Sequence, residues 1–455
     1  MADQETPTRP LHRSRLAFTS RPRMLRYAHI VGWGLEVPSQ VLSNSDLEAI
    51  VDTNDEWITT RTGIKERRIA EPRETTTSLA TRAAQKALDV ADLLPSAIDL
   101  VIVATATPEY IFPSTASMVQ DYLGATNAGA FDLSAACSGF VYALDMAASK
   151  IRTGEINCAV VIGAETLSRV VDWADRGTCI LFGDGAGAVV LQGSDVPGGI
   201  LSSVLRSDGS GWDMLTLPTV SSRDTYLQDG VHEMHRIYMD GKGVYRFATR
   251  IIGDSIKAAL DQAGLTPDDL ALVIPHQANQ RIIEYAAKTL KIPEERVYSN
   301  IARYGNTSAA SIPLALAEAA ERELLKPGDI VAFVGFGGGL SWASMVIEWS
   351  ALPGRPARSL TWGRRQGEYA LAWLRRPLVR LWRRIMLLSP QAIARRARER
   401  AEAARDRAQA ARENLPTPAL PREWPRRDDA AKRAEAARRE PAANEGEPPP
   451  TSNGA

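Results

Sequence analysis

The chain has 455 residues, with 54 Lys and Arg, 54 Asp and Glu, a formal net charge of zero and 44% hydrophobic residues. This composition is typical of a globular protein, and the length exceeds one ordinary core, so two domains or similar halves are expected. Three cysteines make no disulfide framework, and no apolar run is long enough for a transmembrane helix. A disulfide-stapled secreted fold and a membrane-spanning protein are thereby excluded. We expect a cytoplasmic protein, and nothing favours a nucleic-acid partner.

Charge is unevenly distributed along the chain. Residues 353–455 hold 23 Lys and Arg against 12 Asp and Glu, so the remainder of the chain is acidic. Residues 1–23 are rich in Arg, Pro and Thr, which predicts a disordered arm. Met24 is a second candidate start of translation, so this arm is either a real extension or a misassigned start.

Residues 24–204 alternate strand-like and helix-like segments. The run IDLVIVATAT is typical of a strand covered on both faces, whereas SLATRAAQKALDVA has the period of an amphipathic helix. This alternation predicts a layered α/β fold. A polar excursion over a cleft is expected at 205–240, and strand–helix order then recurs in 241–352.

Cys137 lies in AGAFDLSAACSGFVYAL, where a strand pattern turns into a helical one. The unpaired N–H groups and the positive dipole end of a helix's first turn favour a thiolate. We therefore expect a thiol more acidic than that of a free cysteine, and a nucleophile. The alternative is a small buried hydrophobic residue, as free cysteines usually are.

Three further features lie in the second half. His276 follows the apolar run ALVIP, at the strand end where α/β sheets present ligands and catalytic groups. Asn306 lies in RYGNTSAAS, directly before a helical pattern, where a cap or turn is the alternative role. The glycines of GFGGG join two strands, and either the turn requires them or their N–H groups face a reacting carbonyl.

One chemistry fits these residues together. A cysteine nucleophile takes an acyl group from a thioester. A neutral histidine and an asparagine then donate hydrogen bonds to a second thioester oxygen, which stabilises the enolate formed when a malonyl group loses CO2. Such a site requires no metal, nicotinamide or pyridoxal cofactor, and the sequence carries no signature of one.

The chain resembles the β-ketoacyl-acyl-carrier-protein synthase III family of the thiolase superfamily, over about Leu25 to Trp349. Six segments carry the resemblance: NDEWITTRTGIKERRI, the Cys137 segment, DRGTCILFGDGAGA, PHQANQRI, GNTSAAS and FGGGLSW. The resemblance implies two similar halves that form a five-layer α-β-α-β-α sandwich, and a homodimer. It implies a decarboxylating Claisen condensation of an acyl-CoA with a malonyl-acyl-carrier protein.

The resemblance also implies roles for individual residues. The catalytic set is Cys137, His276 and Asn306, with Gly338 in the oxyanion hole, Phe336 as a gate, Trp57, Arg61 and Arg176 at CoA, Arg246, Arg281 and Lys288 at the carrier protein, and Phe112 crossing the dimer to close the acyl pocket. Stacking of an aromatic ring and a guanidinium on a base agrees with the CoA assignment. Without the motifs, a surface aromatic and solvated charges are the alternative reading of these CoA residues.

The sequence departs from the family in three places. Thr289 stands where a further basic residue occurs, which weakens one expected carrier contact. The excursion at 205–240 is a few residues longer than is common, which leaves the acyl specificity open. The residues after Trp349 have no counterpart in the family.

The C-terminal extension divides into 353–415, basic and helical, and a disordered tail at 416–455. Residues 361–390 mix Trp and Leu with arginine pairs, which predicts an interfacial amphipathic helix interrupted near Pro377. It would hold the enzyme at an anionic membrane surface. A helix that packs on the enzyme's own surface is the alternative.

Two rival functions remain open at this stage. A thiolase-fold enzyme can use Cys137 for acyl transfer to another acceptor, or condense a different thioester in a specialised pathway. Alternatively, the chain is a non-catalytic scaffold whose basic tail carries the function, and the retained Cys, His and Asn speak against that.

Overall fold

The computed structural model describes residues 26–218, 235–350, 360–387 and 395. The chain divides into two compact units, Met1–Arg376 and Pro377–Ala455. The first unit contains both central sheets. Of the second unit, the structure describes the end of one helix and Arg395. The predicted arm at 1–23 and tail at 416–455 lie outside the described residues.

The first sheet contains five strands in the order β1-β7-β6-β4-β5. These strands are β1 Tyr27–Glu36, β4 Leu100–Ala104, β5 Gly129–Leu133, β6 Cys158–Thr166 and β7 Asp184–Ser194. Strands β4, β5 and β6 are parallel, whereas β7 runs antiparallel to both β6 and β1. The carboxyl ends of three neighbouring strands therefore meet at one edge of this sheet, where α/β folds place their sites.

The second sheet contains four strands in the order β11-β12-β13-β8. They are β8 Gly199–Ser207, β11 Leu270–Pro275, β12 Ile330–Gly337 and β13 Ser341–Glu348. Strand β8 pairs with β13, so the predicted boundary of the first half after residue 204 falls inside a strand of the second sheet. Two small two-stranded antiparallel sheets complete the described strands, β2 Val41–Ser43 with β3 Glu66–Arg68 and β9 Leu215–Thr216 with β10 Tyr238–Met239.

Helices fill the layers on either side of the sheets. The described helices are α1 Asn44–Leu47, α2 Asp55–Thr62, α3 Thr76–Ala91, α4 Thr115–Leu123, α5 Gly139–Arg152, α6 Gly241–Ala263, α7 Gln280–Leu290, α8 Ile301–Tyr304, α9 Ser311–Glu321 and α10 Leu360–Leu387. Helices α5 and α9 share one core with both sheets. Helices α3 and α4 cover the outer face of the first sheet, and α6 and α7 that of the second.

This arrangement confirms the predicted α-β-α-β-α sandwich. Helix α9 shows why the middle layer forms, because its residues from Ser311 to Ala320 are all buried. A helix that is apolar all round is stable only when other elements surround it. The two sheets supply that environment on opposite sides.

Helix α10 runs without a break through Pro377, so the predicted interruption there is wrong. One side of its first part packs on the first unit. Arg365 is 1% exposed, and its guanidinium donates to Asp89 Oδ1 at 2.7 Å and to the Leu93 carbonyl at 3.2 Å. Arg376 pairs with Asp121 at 3.2 Å. The alternative prediction, packing on the enzyme's own surface, therefore holds for this side of the helix.

Candidate active site

A cavity of about 230 Å³ lies in the first unit and joins residues from both halves. Cys137, His276 and Asn306 all line it, together with Phe336 and Trp57. Cys137 follows β5 of the first sheet, whereas His276 follows β11 of the second. The layered fold thus brings together three side chains that are 139 and 30 positions apart in the sequence.

Cys137 lies in a short 3₁₀ turn, Ala136–Ser138, directly before α5. The end of β12 reaches this turn because position 337 is a glycine. A Cβ atom at Gly337 would lie 2.8 Å from the Cys137 nitrogen, closer than side chains pack. The predicted strand-to-helix position of Cys137 is therefore what the structure shows.

The expected acidity of this thiol is not found. Cys137 is 6% exposed, and burial raises the pKa of its thiol to about 12. Removal of the thiolate from water outweighs the favourable position before α5.

His276 is held in the turn after β11 and is 1% exposed. Its backbone N–H donates to the Val334 carbonyl at 2.8 Å, and its ring meets the edge of Phe336 with centroids 5.2 Å apart. Burial lowers the pKa of the imidazole to about 3, so the ring is neutral near pH 7. Nδ1 has no hydrogen-bond partner among the described residues. Since an unpaired buried donor is costlier than an unpaired acceptor, we assign the ring proton to Nε2.

Asn306 is fixed on three sides. Its backbone N–H donates to the Leu181 carbonyl at 2.8 Å, and its carbonyl accepts from the Gly183 N–H at 3.0 Å. Its side-chain Oδ1 accepts from the Ser308 N–H at 2.8 Å. Because the amide oxygen is occupied by the backbone, the Nδ2 group remains as a donor at the cavity. The neutral side chains of His276 and Asn306 thus line the same cavity as the Cys137 thiol.

The end of β12 carries Phe336, the residue assigned as the gate, and the turn after it carries Gly338, assigned to the oxyanion hole. Phe336 is 1% exposed and lines the cavity. Gly337 lines it too, whereas Gly338 lies one residue further on, with the Leu215 carbonyl and Ala136 as its neighbours.

The three residues assigned to CoA meet at α2. The guanidinium carbons of Arg61 and Arg176 lie 4.4 Å and 5.0 Å from the ring centroid of Trp57. Asn54 caps α2 by accepting from the Trp57 N–H at 2.8 Å, which fixes the backbone under the ring. Trp57 and Arg61 also line the cavity that contains Cys137.

The residues assigned to the carrier protein lie exposed on two neighbouring helices, α6 and α7. Arg246 lies on α6, whereas Arg281 and Lys288 lie seven residues apart on α7 and so share one face. The Arg281 guanidinium donates to the Thr60 carbonyl at 3.0 Å. Thr289 is packed against Gly253 of α6, so this departure from the family lies at a helix contact.

Phe112 does not line the cavity of its own chain and is 85% exposed. It lies with Tyr110 and Ile111 on the loop before α4, and these two side chains are also exposed. The structure thus leaves an apolar loop tip uncovered.

Sequence analysis assigned no role to two buried residues of this region. Ser308 donates its backbone N–H to Asn306 Oδ1 at 2.8 Å, and Glu165 is a fully buried carboxyl at the end of β6. The only sequence signal for Glu165 is an acidic residue that ends the otherwise uncharged run CAVVIGAET. Within the described ranges, no group of three or more His, Cys, Asp or Glu side chains is placed to hold a metal ion.

Sequence comparisons match two segments of the chain to one family. Residues 131–209 match the profile of 3-oxoacyl-[acyl-carrier-protein (ACP)] synthase III, and residues 260–349 match its C-terminal profile. The beta-ketoacyl-[acyl-carrier-protein] synthase III of Caldanaerobacter subterraneus subsp. tengcongensis is 51% identical over 324 residues, which cover 71% of this chain and 98% of that protein. The enzyme of the same name from Roseiflexus sp. is 50% identical over 329 residues, 72% of this chain and 100% of the relative.

Solved structures agree with these matches. The 3-oxoacyl-[acyl-carrier-protein] synthase III of Aquifex aeolicus VF5 is 48% identical with a TM-score of 0.66, covering 71% of this chain and all of that one. The priming β-ketosynthase of the R1128 polyketide pathway is 41% identical with a TM-score of 0.68, covering 72% and 98%. The chain therefore belongs to the 3-oxoacyl-[acyl-carrier-protein] synthase III family and is a condensing acyltransferase with the thiolase fold.

Proposed function

We propose that this chain condenses an acyl-CoA with a malonyl-acyl-carrier protein, with loss of CO2, to give a β-ketoacyl carrier protein at the start of fatty-acid or related chains. One observation carries the proposal: a thiol and two neutral hydrogen-bond donors line one cavity. Cys137 attacks the acyl-CoA thioester and takes its acyl group. A malonyl thioester then occupies the site with its carbonyl oxygen at His276 and Asn306.

The two donors act where negative charge develops. Loss of CO2 leaves an enolate, and hydrogen bonds to its oxygen are stronger than those to the neutral carbonyl. Because the His276 ring is neutral, it donates without placing a proton where the carbanion would capture it. The carbanion is thus free to attack the acyl group on Cys137. The backbone N–H groups of Cys137 and Gly338 are assigned to the carbonyl oxygen of the acyl group on Cys137, where negative charge develops as the carbanion attacks.

The test of this function uses purified protein, a panel of acyl-CoAs and malonyl-acyl-carrier protein. Intact-mass measurement should show an acyl adduct on the enzyme, followed by a β-ketoacyl product on the carrier protein and release of CO2. An adduct that passes to another acceptor, with no CO2 released, would replace condensation by simple acyl transfer. The likeness to the priming β-ketosynthase of the R1128 polyketide pathway supports testing a panel of acyl-CoAs rather than one.

Trp57, Arg61 and Arg176 are proposed to hold CoA at the cavity mouth. Replacing Trp57 with alanine should raise the KM for acyl-CoA about tenfold or more, since stacking on a base contributes roughly 1–3 kcal/mol. The KM for malonyl-acyl-carrier protein is measured in parallel and should change less. Equal effects on both substrates would indicate general destabilisation of α2 instead.

Arg246, Arg281 and Lys288 are proposed to dock the carrier protein. Two facts support this assignment: all three side chains are exposed on α6 and α7, and the family resemblance implies an acidic carrier protein.

The exposed loop tip at Phe112 supports a homodimer in which this side chain closes the partner's acyl pocket. Large apolar side chains uncovered together on a loop are typical of an interface.

The extension is proposed to contact an anionic membrane surface from the cytoplasm. Among the described helices, none is long and apolar enough to cross a bilayer. On α10, however, Leu371, Trp373 and Leu374 are more than half exposed. Leu371 and Leu374 are three residues apart and therefore lie on one face of the helix. An outward apolar row flanked by arginines suits the level of the lipid headgroups.

Liposome flotation tests this contact. Full-length protein should float with anionic vesicles at low salt, less at high salt and little with neutral vesicles, since each basic residue near such a surface contributes about 1 kcal/mol. The double variant Leu371→Asp/Leu374→Asp should not float with the vesicles and should remain at the bottom of the gradient. Its condensation rate in solution should be unchanged. Glu368→Gln, on the enzyme-facing side of α10, is the matched control and should float normally. Full-length protein that ignores anionic vesicles at low salt would disprove the membrane contact.

A further inference from the structure

The turn that carries Cys137 contains an unfavourable backbone conformation. Ala136, directly before the nucleophile, has a φ of 44°. This left-handed region is unfavourable for a residue with a Cβ atom, and it persists only where surrounding contacts stabilise it. The Ala135 carbonyl supplies such contacts, because it accepts from the Ser138 N–H at 3.2 Å and from the Ser138 hydroxyl at 2.7 Å. The orientation of the Cys137 N–H therefore depends on how this carbonyl is held.

A second serine reaches the same carbonyl from the other half of the chain. Ser341 is the first residue of β13 and pairs with Gly337 across the glycine turn. Its hydroxyl lies 2.9 Å from the Gly338 carbonyl, 3.2 Å from the Ala135 carbonyl and 2.9 Å from the Ser138 hydroxyl. Both serines are buried. One pair of side chains thus joins the two backbone segments assigned to the oxyanion hole.

The protons of this serine pair are enough to bridge the two segments. Each hydroxyl carries one proton and can also accept. If Ser341 donates to Ser138, the Ser138 proton remains for the Ala135 carbonyl. If Ser138 donates to Ser341, the Ser341 proton remains for the Gly338 carbonyl. In both arrangements the bond between the hydroxyls is kept and one of the two turns is held through it.

The two turns are also in direct contact. A Cβ atom at Gly335 would lie 3.0 Å from the Ser138 Cα atom, and one at Gly337 would lie 2.8 Å from the Cys137 nitrogen. The fold therefore brings the two backbones together, since these positions are glycines. The serine pair fixes how the neighbouring peptide groups face.

We propose that Ser341, through its hydrogen bond with Ser138, is a positioning residue that orients the N–H groups of Cys137 and Gly338 toward the oxygen of the reacting thioester. Negative charge develops on that oxygen when the thiol attacks the acyl-CoA, and donors that are already aligned stabilise it most. Neither serine lines the cavity, so the pair acts through the backbone. This inference rests on the proposed acylation of Cys137.

A second serine pair on the same strand provides a matched control. The hydroxyl of Ser344 on β13 lies 2.9 Å from that of Ser255 on α6 and donates to the Ser255 carbonyl at 2.6 Å. Both residues are buried and neither lines the cavity. Ser344→Ala and Ser341→Ala therefore remove the same buried group from one strand. A loss of fold stability is expected of both, whereas slower acylation is expected of Ser341→Ala alone.

The experiment follows the acyl adduct on Cys137 by intact mass over time, at several acyl-CoA concentrations. Ser341→Ala and Ser138→Ala should each lower the maximal acylation rate about tenfold, because misaligning a donor costs part of the roughly 10²–10³ that its removal costs. The acyl-CoA concentration that gives half of this rate should stay unchanged. The double variant should be no slower than the slower single variant, since both remove one bond.

Three further variants and readouts separate positioning from a structural role. Ser341→Thr keeps the hydroxyl and should keep most of the rate, and Ser344→Ala should acylate as the wild type does. Ser341→Ala should still release CO2 from malonyl-acyl-carrier protein at the wild-type rate, because His276 and Asn306 are intact. Thermal unfolding shows which variants are folded. If Ser341→Ala is not, Ser138→Ala tests the same bond with a residue that suits the start of a helix.

An unchanged acylation rate in the folded variants would overturn the proposal. Equal slowing of acylation and CO2 release, or equal slowing by Ser344→Ala, would also overturn it, while condensation itself would stand. Failure of the wild type to form any acyl adduct would instead overturn the proposed function.

Discussion

Cys137→Ser should form no acyl-enzyme with any acyl-CoA. A serine hydroxyl is a much weaker nucleophile than a thiol, and the neutral His276 beside it offers no strong base. The substitution keeps the size of the side chain in the turn before α5, so the fold should be retained. Intact-mass measurement after incubation with acyl-CoA is the assay, and thermal unfolding confirms that the variant is folded.

The other two cysteines provide matched controls. Cys158 and Cys179 are buried and free, as Cys137 is, but neither lines the cavity. Cys158→Ser and Cys179→Ser should therefore acylate as the wild type does. A normal adduct on Cys137→Ser, or an adduct that maps to Cys158 or Cys179, would show that the nucleophile has been assigned to the wrong residue.

Local patterns in the sequence predicted those features that neighbouring residues determine. The amphipathic period of SLATRAAQKALDVA lies within helix α3, Thr76–Ala91, and Cys137 lies where a strand pattern turns into a helical one. The boundary after residue 204 did not match the strand pairing. Strand β8 joins the second sheet through β13, and no local pattern of its own residues shows this long-range partner.

Local sequence patterns could not predict the properties that depend on the folded pocket. The expectation of an acidic Cys137 thiol rested on its position before α5. Burial of the thiol in the folded chain raises its pKa instead. Glu165 has no motif, and the hydroxyl groups that hydrogen-bond to its buried carboxyl come from Thr105 and Thr107 on another segment. Arg365 belongs to the arginine-rich segment 361–390, and its ion pair with Asp89 joins it to a residue 276 positions earlier. Each of these depends on contacts between distant segments.

His276→Ala and Asn306→Ala should each acylate normally but release little CO2 from malonyl-acyl-carrier protein. Each variant removes one donor to the developing enolate, and loss of a single such donor typically lowers the rate by about 10²–10³. In the wild type, the lowered pKa of His276, about 3, keeps the ring neutral from pH 8 down to well below the usual histidine range. The CO2-release rate should therefore show no inflection from this histidine between about pH 5 and pH 8.

The variant Asn306→Asp tests whether the Nδ2 group of Asn306 is the donor to the enolate oxygen. It preserves the shape of the side chain and the oxygen that accepts from the Ser308 N–H, but replaces the Nδ2 donor by a carboxylate oxygen. A negative charge beside the enolate repels it, so this variant should release CO2 more slowly than Asn306→Ala while the acyl adduct still forms on Cys137. Two separate readouts decide the matter, the mass of the acyl-enzyme and the CO2 released from malonyl-acyl-carrier protein. Variants of His276 and Asn306 that lose acylation but keep CO2 release would reverse the division of labour, with these two residues activating the thiol and other groups stabilising the enolate.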